Sequence, residues 1–216
     1  MSLSYYNPVH SHRGIKKIFA ANILALGVIV LSILVLALSL TGGYSAEGTV
    51  ETLRVIVLIF SLLTLLLELV GVCQAARDES YFANARDILL LNIGLAVFSV
   101  LLKSVLPDFP LLDLAGDAAG FLTMLFVVKG IMRLALNVHH WSMQRLGQRV
   151  FRLVLIASCS SIGLSVLAEL VKSNTGVSEL LIFFLGLAVL VLSIVATVLY
   201  IRYLHRAAEM TDIITP

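Results

Sequence analysis

Six long apolar runs constrain this chain more than any other feature. They cover residues 18–40, 53–73, 88–106, 111–138, 150–171 and 180–203. A bilayer's hydrocarbon layer is about 30 Å thick and a helix rises about 1.5 Å per residue, so about 20 apolar residues span it. All six runs meet that requirement. None contains a proline, and turn-forming clusters separate them: residues 41–45, the Pro107 and Pro110 pair, and residues 173–176. A segment in lipid must satisfy its own backbone hydrogen bonds, so these runs read as helices rather than strands. The composition agrees, with 60% apolar and 13% charged residues and a mean hydropathy of +1.04, far from the balance of a water-soluble domain. The expected fold is all-α, a polytopic integral membrane protein with a six-helix transmembrane bundle built from three helical hairpins. One membrane domain, 18–203, would lie between a short basic segment, 1–17, and a short tail, 204–216. Both flanks are too short to fold alone.

The distribution of Lys and Arg predicts the threading, because cytoplasmic loops collect them. Arg13, Lys16, Lys17, Arg77, Arg86, Arg145, Arg149, Arg152, Arg202 and Arg206 fall on the side of the two chain ends. The opposite side has only Arg54, Lys103 and Lys172. Both termini are therefore expected in the cytoplasm, with the protein in the cell membrane. The first run resembles the core of a secretory signal, but its 23 residues exceed that length and no A-x-A site follows, so it is expected to stay attached.

Three hairpins of roughly 65 residues would each begin and end inside. They open on Lys16-Lys17-Ile18-Phe19, Arg86-Asp87-Ile88-Leu89 and Gln148-Arg149-Val150-Phe151. Asn22 and Asn92 follow at matching depth, a weak sign of internal repetition.

Polar residues are costly in lipid and usually turn toward other helices or a wet cavity. Ser158, Ser161, Ser165 and Glu169 recur on one face of the fifth run, continuing to Lys172, while Ser61, Thr64 and Glu68 share a face of the second. Asn92, Ser99 and Lys103 mark the third, and Asn22, Ser32 and Ser39 the first. These faces are expected to meet inside the bundle. In the fourth run Lys129, Arg133, Asn137, His140 and Gln144 follow at helical spacing, a basic stripe. Lys129 lies about 15 Å of helix from His139, near mid-membrane, and Glu68 falls at a similar depth. An unpaired charge there costs about 3 kcal/mol, so Glu68 is predicted to pair with Lys129 or Arg133 in a cavity open to the cytoplasm. Such a cluster suits a small anionic solute or a coupling carboxylate, or serves as an ion pair that sets helix register.

Gly116 and Gly120, and Ala21 and Ala25, are small-residue pairs one helical turn apart that permit close helix approach. Six helices with both termini inside resemble the substrate-binding subunits of energy-coupling-factor vitamin transporters. The Ala21/Ala25 pair is similar to the pattern with which their first helix meets a partner. That resemblance implies solute binding and a membrane partner subunit, although no ligand motif of the family maps onto this chain.

Cys73 and Cys159 occupy different runs without metal-binding spacing and read as packing residues. His139 and His140 lack the acidic partner of a zinc helix, so no metal or other cofactor is expected. The scattered basic residues give no nucleic-acid footprint. No GxSxG, Walker or dinucleotide-binding motif is present. The chain is thus expected to be a transport or solute-binding component in the lipid bilayer, or a noncatalytic subunit that assembles through helix faces, rather than an enzyme.

Overall fold

A computed structural model of the chain describes residues 9–41, 47–103, 110–172 and 179–214. The described residues form six helices: α1 (Val9–Thr41), α2 (Glu47–Ala75), α3 (Ser80–Lys103), α4 (Pro110–Asn137), α5 (Trp141–Lys172) and α6 (Glu179–Ile214). Each is long and apolar enough to cross a membrane, which is compatible with a multi-pass membrane protein in contact with lipid. Pro110 opens α4, where its missing N–H has no helical acceptor to lose.

Every helix packs on its neighbours in sequence, and α6 returns to α1, so the six close a ring in chain order. The closure uses Phe19 stacked on His205, with ring centroids 5.2 Å apart. The packing is concentrated at the end that carries the two chain ends. There the helices overrun their apolar runs: α1 starts at Val9 rather than 18, α3 at Ser80 rather than 88, α5 at Trp141 rather than 150, and α6 continues to Ile214. Ile15, Val72, Phe82, Ile131, Met143 and Tyr203, one from each helix, are buried together at this end. Charged side chains cover its exterior, as on a small water-soluble bundle.

Farther from the chain ends the apolar residues come to the surface. Ile33 and Leu36 of α1, Leu58 and Leu62 of α2, and Phe183 and Leu190 of α6 are all exposed. The accessible surface of 13522 Å² compares with roughly 9,700 Å² for a compact chain of this mass. Lipid is the natural solvent for that surplus.

Glycine permits the closest crossing, between α1 and α2. A Cβ on Gly14 would stand 2.5 Å from the Gly71 carbonyl oxygen, and one on Gly71 2.8 Å from that of Gly14. Without side chains the two backbones touch. The α4–α5 turn is set differently. His139 adopts φ 58°, the His140 N–H donates to the Ala135 carbonyl at 2.8 Å and the His139 N–H to Leu136 at 3.1 Å. That is the Schellman ending, with histidine where glycine is usual. The His140 ring then accepts from the Met143 N–H at 3.3 Å and so caps the start of α5. The basic stripe expected to continue along one helix through His140 and Gln144 is therefore broken, since both residues lie beyond the end of α4.

Candidate functional site

Helix register decides where the charged residues lie. Lys129 Nζ stands over the Phe126 ring at 5.9 Å and over Phe151 of α5 at 5.3 Å from its centroid. Lys129 is thus level with Phe151 and its neighbour Arg152, where the apolar run of α5 begins. That level is the start of the apolar run of α5 rather than its middle. Both Lys129 and Arg133 are exposed on the outside of the ring.

The Gly14–Gly71 crossing sets the depth of Glu68 in the same way. One turn further along α2, Glu68 is level with the Lys17–Ala21 turn of α1, again at the start of an apolar run. It is partly buried. It forms no ion pair with Lys129 or Arg133, and neither cation forms one with any other described residue. The predicted intramembrane cluster is not assembled, because the ring places α2 and α4 on separate sides of α3.

The hydroxyl stripes also differ from expectation. Ser61 donates to the Val57 carbonyl at 2.8 Å, Thr64 to Phe60 at 2.8 Å, and Ser165 to Ser161 at 3.1 Å. Ser32 and Ser39 do the same in α1. A hydroxyl bonded four residues back in its own helix needs no other partner, so it can face outward. Ser61 and Ser165 are exposed, Ser161 is half-buried, and Ser158 is buried while donating to Val154 at 2.7 Å. The side chains of Glu169, Lys172 and Lys103 lie outside the described residues. Asn22, half-buried, donates to Ile18 within α1 at 2.8 Å.

Asn92 is used in another way. Its side chain lies across the small-residue face of α4: a Cβ on Gly116 would be 3.5 Å from Asn92 Oδ1 and one on Gly120 3.8 Å from Nδ2. The Gly116/Gly120 pair thus packs against α3 through an amide. Beside this contact a cleft of about 510 Å³ runs along the α3–α4 seam, lined by Asn92, Leu95, Ala96, Ser99, Leu112, Gly116 and Asp117. It extends from Asn92 toward Leu112, near the first turn of α4, and so toward the end of the ring opposite the chain termini. The chain-end side is packed by the apolar core, and a groove of about 250 Å³ at its rim is lined by His140, Ser142, Arg206 and Glu209, without Glu68, Lys129 or Arg133 among its described residues. Sequence reasoning had placed Asn92 and Ser99 on one face but had not joined them to Asp117, which only the α3–α4 register reveals.

A second polar cluster ties the ends of the chain together. His12 Nδ1 lies 2.9 Å from Thr211 Oγ1 and Nε2 lies 3.1 Å from Asp212 Oδ1. Lys16 Nζ donates to the same Asp212 oxygen at 2.9 Å, and the Ser11 N–H donates to Asp78 Oδ2 at 2.6 Å. All these groups are beyond the apolar runs. The Lys16 hydrogen bond holds the Asp212 carboxyl below the usual carboxylate range. Burial, followed by the charge of Lys16, lowers His12, with Asp212 opposing.

Cys73 and Cys159 are free thiols. Among the described residues no group of His, Cys, Asp or Glu is gathered for a metal ion. No protein family, curated protein or solved structure matches this chain.

Proposed function

We propose that the chain is a solute-binding or transport component of the cell membrane, and that its site is the α3–α4 cleft. One observation carries this reading: a cleft of about 510 Å³ brings the Asn92 amide, the Ser99 hydroxyl and the Asp117 carboxylate together on the α3–α4 seam, among Leu95, Ala96 and Leu112. The volume falls within the range of small-molecule pockets. An amide set in a membrane helix is costly unless it faces a partner or a wet cavity, and Asn92 makes no hydrogen bond with the described residues. The described lining offers amide, hydroxyl and carboxylate groups, which suit a polar solute. With the basic side of the bundle in the cytoplasm, the cleft opens outward.

The test is native mass spectrometry of the protein purified in mild detergent, comparing wild type with Asn92→Leu. A small-molecule adduct retained by wild type and lost from the variant supports the reading. Retention of lipid alone, or an adduct indifferent to Asn92, overturns it. A copurified protein without any small molecule would favour an assembly subunit instead.

A further inference from the structure

From Asp117 to Glu169 the chain contains no acidic residue but five cations: Lys129, Arg133, Arg145, Arg149 and Arg152. All five are exposed. None is ion-paired among the described residues. The α4–α5 hairpin therefore presents a cationic exterior with no counter-charge from the described residues, open to an anion from outside the chain.

Its position identifies the kind of anion. Lys129 is level with Arg152, where the apolar run of α5 begins. The Phe151 ring stands at the level of Lys129, and the Phe126 ring on its apolar side, followed by the exposed side chains of Leu122 and Leu155. On the other side, one turn toward the chain ends, Arg133 shares its helix face. The order along the seam is aliphatic, aromatic, cation, cation. An amphipathic anion matches that order: its phosphate would sit at Lys129 and Arg133 and its acyl chains would lie along Phe126 and Leu122.

We propose that the α4–α5 seam binds the phosphodiester headgroup of an anionic phospholipid at the membrane surface on the chain-end side. Lys129 holds the phosphate from a position fixed by two aromatic faces, and Arg133 supplies the planar fork suited to phosphate oxygens. This site is separate from the α3–α4 cleft and stands whether or not the cleft binds a solute.

The experiment titrates the full-length protein in dodecyl maltoside with phosphatidylglycerol or phosphatidylcholine of identical acyl chains, reading bound lipid by native mass spectrometry. Wild type retains phosphatidylglycerol preferentially, and the Lys129→Gln/Arg133→Gln variant loses that preference by about tenfold or more. Lys129→Arg keeps it, as does Arg54→Gln at the opposite end. Excess glycerol phosphate leaves the lipid bound; displacement by it would show a site for free phosphate and sink the lipid assignment. Equal retention of the two lipids, or a preference unaltered in a monodisperse double variant, also overturns the proposal. Should the double variant fail to fold, wild type decides alone: its preference must weaken as ionic strength rises, and a salt-indifferent preference refutes the assignment.

Discussion

Gly71 shows how much a single residue can decide in this molecule. A methyl group there would meet the Gly14 carbonyl at 2.8 Å and Ile18 Cγ1 at 2.8 Å. The first of these is backbone and cannot rotate away. Gly71→Ala is expected to destabilise the protein by about 2 kcal/mol, in the range of overpacked cores, seen as a lower melting temperature in detergent. Gly116→Ala is the contrasting case, because its new methyl would stand 3.5 Å from Asn92 Oδ1, an ordinary contact. It should melt like wild type, and a loss comparable to that of Gly71→Ala would contradict the cleft geometry. The Gly116/Gly120 pair was legible because both glycines lie one turn apart on one helix. The Gly14 crossing was not: Gly71 and Ala75 are also one turn apart, but nothing in the chain shows that their partner is the lone Gly14.

At the level of helices, the ring is closed where α1 meets α6. Two titratable groups there give a signed prediction. Asp212, lowered by Lys16, contributes stability that is present above its unfolded pKa and lost as pH falls through its folded value. His12, lowered by burial, also loses its contribution as pH falls, because protonation is harder in the folded state. Melting temperature in detergent should therefore drop as pH is taken from neutral into the carboxylate range, and Asp212→Asn should flatten the lower part of that drop. An unchanged pH profile in the variant would show that the α1–α6 contact does not depend on this carboxylate. The six elements themselves were readable from their apolar runs. Their overhangs were not: an amphipathic turn such as 80–87 does not look like membrane helix and becomes helix by packing Phe82 and Ala85 into the core.

The whole molecule divides into a charge-coated bundle at the chain ends and an apolar part beyond it. The two native cysteines sample these zones. Cys73 is exposed at the chain-end limit of its apolar run, four residues before Arg77, whereas Cys159 is exposed seven residues past Arg152, about 10 Å into the apolar layer. A membrane-impermeant maleimide should label Cys73 and spare Cys159 in inverted vesicles, and label neither in intact cells. Labelling of Cys73 in intact cells would reverse the orientation that the Lys and Arg distribution predicts.

The sequence alone determined that the chain has six helices fit for a membrane, because length and apolarity are properties of each segment and need no partner. It also marked the polar residues, but not their company. Glu68, Lys129 and Arg133 have compatible charge and similar apparent depth, yet the closed ring keeps them apart, while Asn92 and Asp117, far less conspicuous, share a cleft. Only tertiary structure decided this, since the level and facing of a residue in a helical bundle depend on how neighbouring helices slide and rotate against one another. In this protein those choices are made by backbone contact at Gly14 and Gly71 and by ring contact at Lys129, and the chain does not show which residue of another helix each of these meets.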